Sequence, residues 1–155
     1  MASAMWSLTA TVDSGSSRYT KTNTFIVLSG SDSVSIPIPE GANVITGTRE
    51  NDRLTGTDGD DYICGGAGRD IIEGGLGDDT LILGPDGGVL YGREGNDTLK
   101  AGSGSGISSL YGTEGDDTYL VAPGDHRVII NDSRNIEGDV LQFMAGISPN
   151  DVSIK

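Results

Sequence analysis

Cysteine is all but missing from this chain. Cys64 stands alone, so no internal disulfide can hold the fold together. Aromatic residues make up only 5% of the sequence, and His126 is the sole histidine. Basic residues are also scarce, with 10 Lys and Arg against 23 Asp and Glu, a formal net charge of −13. Such an acidic chain is repelled by nucleic acid and by anionic membrane surfaces, and it attracts cations. Long apolar runs are lacking too. The run Phe25-Ile26-Val27-Leu28 is far shorter than the roughly 20 residues a membrane-spanning helix needs, so no transmembrane segment is expected. The N-terminus shows no secretory signal, and an exported chain would carry its export signal elsewhere.

Glycine, by contrast, is abundant, at 25 of 155 residues. With few aromatics and a high net charge, this composition alone points to disorder. The order of the residues points the other way. Residues 65–73 read GGAGRDIIE and residues 74–82 read GGLGDDTLI, the same nonapeptide written twice. Numbering nine slots puts a glycine at slot four, an aspartate at slot six and an aliphatic residue at slot eight. The pattern continues at 47–55 (GTRENDRLT, with Glu50 at slot four), 56–64 (GTDGDDYIC), 92–100 (GREGNDTLK) and 112–120 (GTEGDDTYL, with Tyr119 at slot eight). Weaker copies start at Ile38, Leu83, Ala101 and Val121, and the one at Ala101 needs two extra residues. The slot-eight column then reads Ile45, Leu54, Ile63, Ile72, Leu81, Leu90, Leu99, Leu110, Tyr119 and Val128. A flexible glycine linker has no use for an unbroken apolar column.

One unit holds a glycine-rich turn and a strand of about three residues, in which slot eight points to one face and its neighbours to the other. Such a strand cannot bury its apolar side chain alone, but stacked parallel strands can. Two units make one coil of 18 residues, with slot-eight residues filling a thin core between two parallel sheets. Stacking also brings the slot-six carboxylates together, and buried carboxylates repel one another. A hard divalent cation resolves that repulsion. Calcium takes six to eight oxygens in flexible geometry and suits such turns better than magnesium, which demands a small, near-octahedral shell.

The units GGAGRDIIE and GGLGDDTLI match GGxGxDxUx, so the chain resembles the repeats-in-toxin (RTX, haemolysin-type calcium-binding) family over about residues 38–129. The resemblance implies an all-β fold, a calcium-filled parallel β-roll, with residues 1–37 and 130–155 as N-terminal and C-terminal capping segments. It also implies a secreted or cell-surface bacterial protein exported by type I secretion machinery, whose signal is C-terminal and uncleaved.

The two edges of the roll are unequal. Slot six on one edge carries Asn43, Asp61, Asp79, Asp97 and Asp117; on the other it carries Asp52, Asp70, Gly88, no acid in the stretched unit, and His126. The expected metal ligands are therefore Asp52, Asp61, Asp70, Asp79, Asp97 and Asp117, with Asn43 weaker, holding about four calcium ions. The two extra residues before Gly112 put the Asp97–Asp117 alignment to a test. An outward apolar stripe including Ile71, Val89, Tyr91 and Tyr111 calls for a cover, which residues 5–37 or the tail can supply, the alternative being a partner surface in a larger protein. In the tail, VIIN and DVLQF read as closing strands and Ser148-Pro149 as a helix start.

No constellation suggests an enzyme. Cys64 has no histidine placed beside it, His126 reads as structural or solvated, and the repeat accounts for the paired carboxylates. The leading expectation is a calcium-binding module that folds outside the cell. The alternative is a calcium-dependent polysaccharide-binding or adhesive module attached to a secreted enzyme such as an alginate epimerase, with Arg53, Arg127, Tyr91 and Tyr111 facing an acidic polysaccharide.

Overall fold

The computed structural model describes residues 4–14, 17–27, 36–132 and 138–148. Every regular element among them is a strand. The first two, β1 (Ala4–Ser14) and β2 (Ser17–Val27), pair as an antiparallel hairpin. From Asn43 on, each glycine turn reverses the chain after a few residues, so the strands stay short and alternate between two parallel sheets. One sheet stacks β3 (Asn43–Thr46), β5 (Asp61–Cys64), β7 (Thr80–Ile82), β9 (Thr98–Lys100), β11 (Thr118–Val121) and β13 (Val140–Phe143) in that order. The other stacks β4 (Arg53–Thr55), β6 (Asp70–Leu76), β8 (Gly87–Glu94), β10 (Gly104–Glu114) and β12 (Asp125–Ile130). The result is the expected all-β parallel solenoid, of about five turns. No helix of the described residues is long and apolar enough to cross a membrane.

The core is the slot-eight column. Ile63, Ile72, Leu81, Leu90, Leu99 and Leu110 are completely buried, with Tyr119 nearly so. In the six-stranded sheet the column pairs Ile45 with Ile63, Ile63 with Leu81, Leu81 with Leu99 and Leu99 with Tyr119. Tyr119 then pairs with Leu141, so the column runs one turn further than the spacing predicts. In the other sheet Leu54, Ile72, Leu90 and Leu110 align, and the next member is Ile130. The assignment of Val128 to slot eight is therefore corrected by two residues: Val128 pairs with Ser108, at slot six. A slip of two keeps the same face inward, and both Val128 and Ile130 pack against the core. The unit that starts at Val121 is itself two residues longer than nine, since the column runs from Tyr119 to Ile130, and so it matches the stretched unit on which it stacks, Leu110 pairing with Ile130.

The closing strands VIIN and DVLQF appear as the end of β12 and as β13. Strand β2 lies against β13, and Ile71 on the outward stripe stays exposed. The predicted helix start at Ser148-Pro149 reaches beyond the described residues, which end at 148.

Candidate metal centre

The coil length turns slot six into a ladder. Each aspartate enters its strand just after the turn, so its backbone N–H points along the stack to the carboxylate of the next coil. The Asp61 N–H donates to Asp79 Oδ1 at 2.8 Å, and the Asp79 N–H to Asp97 Oδ1 at 2.9 Å. The Asp97 N–H reaches Asp117 Oδ1 at 2.9 Å across a separation of 20 residues rather than 18, so the insertion leaves this step intact. At the lower end, the Asn43 side-chain amide donates to Asp61 Oδ1 at 2.7 Å. The ladder also gains a rung that the sequence reading missed: the Asp117 N–H donates to Asp139 Oδ1 at 2.9 Å. Asp139 stands two residues before Leu141, the slot-six to slot-eight spacing, and that spacing within EGDVLQF was the signal available to find it.

The second carboxylate oxygens face inward. Asp61 Oδ2 accepts from the Thr57 N–H at 2.6 Å and from the Thr57 hydroxyl at 3.0 Å. Asp79, Asp97 and Asp117 are at most 1% exposed, and their Oδ2 atoms have no hydrogen-bond partner. Glycine at slot one makes room for these oxygens. A methyl group built on Gly74, Gly92 or Gly112 would collide with Oδ2 of Asp79, Asp97 or Asp117 respectively. A second, exposed ladder runs beside the first at slot five. The Asp78 N–H donates to Asp60 Oδ1 at 2.9 Å, the Asn96 N–H to Asp78 Oδ1 at 2.8 Å and the Asp116 N–H to Asn96 Oδ1 at 2.8 Å.

Burial penalises the charged form, and neighbouring carboxylates add repulsion, outweighing the backbone donors. Together they push the Asp79 and Asp97 carboxyls up to about 7 and that of Asp117 up to about 6.

The other edge changes character partway along. The Asp52 N–H donates to Asp70 Oδ1 at 3.0 Å, and Asp52 Oδ2 accepts from the Thr48 N–H at 2.6 Å. Asp70 is fully buried with an unpartnered Oδ2, and burial is the main force raising its pKa. Beyond it, slot six passes to Gly88, Ser108 and Val128. Apolar side chains replace the carboxylates there. Leu83 and Ala101 are buried, and Leu83 occupies space next to Gly88. His126 is not at slot six, as the spacing had suggested; it is exposed, with Nδ1 3.0 Å from the Gly124 carbonyl.

The structure thus stacks Asp61, Asp79, Asp97 and Asp117 on one edge with Asn43 below and Asp139 above, and sets Asp52 with Asp70 on the other. Several buried carboxylate oxygens lacking a partner are costly unless a cation meets them. The donors are oxygens only, without cysteine or histidine, which fits a hard ion and not a soft transition metal.

A family model described as the RTX calcium-binding nonapeptide repeat matches in four copies, at residues 40–72, 65–90, 74–107 and 91–125. Together they span more than half of the 155 residues. Neither a curated protein nor a solved structure matches the chain.

Proposed function

We propose that this chain, which belongs to the family of RTX calcium-binding nonapeptide repeats, couples its own folding to calcium outside the cell. The observation that carries the reading is the buried carboxylate ladder, in which Asp79, Asp97 and Asp117 each hold an unpartnered oxygen. Bound calcium supplies the positive charge and the oxygen-coordinating capacity that this ladder lacks. The chain's residues do the rest. Slot-six aspartates provide the carboxylates, slot-one glycines leave room for them, and slot-eight residues form the core once the turns stack.

Where calcium is scarce, carboxylate repulsion opposes stacking, and an open chain suits passage through a type I secretion channel. Outside, binding free energy becomes folding free energy. Extracellular calcium modules typically bind at roughly 10⁻⁴ to 10⁻³ M. On this reading about four ions bind, mostly along the Asp61–Asp117 edge, and the module has no catalytic role of its own.

The polysaccharide-binding alternative is less well supported. Tyr91 and Tyr111 do stack, with ring centroids 4.9 Å apart. Arg53 and Arg93, however, are already engaged: Glu73 pairs with Arg53, and with Arg93 at 2.9 Å. An acidic polymer would have to compete with that carboxylate.

The test is far-UV circular dichroism during a calcium titration at physiological salt, with magnesium as control. A calcium-selective gain of β-structure is expected. A chain with full β-structure in chelator would overturn calcium-coupled folding and leave calcium as a local staple.

A further inference from the structure

We infer that the C-terminal end of the solenoid carries an additional cation site outside the nonapeptide pattern, built by Asp117, Asp132 and Asp139, which clamps the last turn shut. The inference rests on the calcium reading above. One ligand atom from each of these three residues lies within 4.8 Å of the other two.

Position explains why this site differs from those below it. Strand pairing aligns Gly56 with Gly74, Gly92 and Gly112 at slot one, and the same register places Asp132 above Gly112. In the lower turns a side chain there would strike the slot-six carboxylate, and a methyl group built on Gly112 would collide with both Asp117 Oδ2 and the Tyr119 hydroxyl. The last turn bears a carboxylate at slot one instead. Asp132 Oδ2 accepts from the Tyr119 hydroxyl at 2.7 Å, and that hydroxyl itself accepts from the Gly112 N–H at 3.0 Å. Tyr119 therefore orients Asp132 toward Asp117.

Independent support comes from Asp117. It is 0% exposed, and its Oδ2, which lies with the Tyr119 hydroxyl against Gly112, has no partner. Asp132 Oδ1 is likewise buried and unpartnered. The Asp61–Asp79, Asp79–Asp97 and Asp97–Asp117 intervals present two slot-six carboxylates each; the terminal one adds Asp132 at slot one as a third. Since charge count among oxygen ligands sets calcium affinity, the terminal site is the tightest in the chain. Asp117 precedes β11, Asp132 follows β12 and Asp139 precedes β13, so one ion would tie both sheets together at their last strands.

The test is isothermal titration of the full chain with calcium alone, comparing the unmodified protein with Asp132→Asn and with Asp132→Gly, which installs the glycine of the lower turns. Both variants are expected to weaken the tightest binding event by about 10- to 100-fold while β-structure at saturating calcium and the remaining uptake persist. An unchanged tight event in either folded variant overturns the terminal site but not the calcium reading. An unmodified chain that takes up no calcium overturns both. Should the Asp132 variants fail to fold, terbium decides. An ion at this site lies beside the Tyr119 ring, so Tyr119→Phe should remove the tightest tyrosine-sensitised emission, and unchanged emission overturns the site.

Discussion

Asp79 is the most informative position to perturb. Its Oδ1 accepts from the Asp61 N–H, its own N–H donates to Asp97 Oδ1, and it is 1% exposed. It therefore belongs to two intervals of the ladder, whereas Asp52 belongs to one and lies partly open at an end. Taking about tenfold in affinity, or about 1.4 kcal/mol, for each interval that loses a carboxylate, Asp79→Asn costs about 3 kcal/mol and Asp52→Ala about half of that. Asp79→Ala also strips the buried Asp61 N–H of its acceptor, adding about 1–3 kcal/mol. Asparagine keeps a side-chain oxygen to accept from the Asp61 N–H and removes only the charge. If about four ions bind together on folding, dividing these costs among them raises the calcium midpoint about twofold for Asp52→Ala, threefold for Asp79→Asn and five- to twelvefold for Asp79→Ala. Circular dichroism at fixed ionic strength reads the midpoint directly. Equal shifts for Asp52→Ala and Asp79→Ala, or a larger one for Asp52→Ala, would refute the assignment of shared carboxylates to one edge.

Three further outcomes are expected. In chelator, acid should favour the fold: the Asp79 and Asp97 carboxyls are raised from 3.8 to about 7, so their contribution is fully present below the unfolded value and is lost as pH rises through about 7. More β-structure should be seen at about pH 5 than at about pH 8, and saturating calcium should flatten that difference; the opposite slope would contradict the burial of these groups. Leu99→Ala empties a fully buried core position and should cost about 2–5 kcal/mol, raising the calcium midpoint while the number of ions bound at saturation, read by titration calorimetry, stays the same. Gly74→Ala places a methyl group against Asp79 Oδ2 and 2.8 Å from the Gly92 carbonyl, so it should raise the midpoint far more than Gly59→Ala, where nothing lies within 4 Å.

Much of this molecule was legible from spacing alone. A slot-eight column every nine residues demands stacked short strands, because no single unit can bury its own aliphatic side chain. The slot-six residues fell into one acidic edge and one that loses its acid after Asp70, and the structure places them so. Tertiary structure decided the rest. Counting along the chain put Val128 in the core column and His126 at slot six, but pairing with β10 set the register, and a two-residue slip costs nothing in sidedness, so pattern could not detect it. Leu83 and Ala101 stand at slot one, and only their burial shows that apolar side chains replace the carboxylates of that edge. Asp132 and Asp139 lie past the last recognisable nonapeptide, separated by residues of no repeat character. A coil that returns above Asp117 brings them to one point. Asp139 keeps the two-residue spacing to Leu141, but Asp132 stands where the lower turns carry glycine, and nothing local in the sequence marks it.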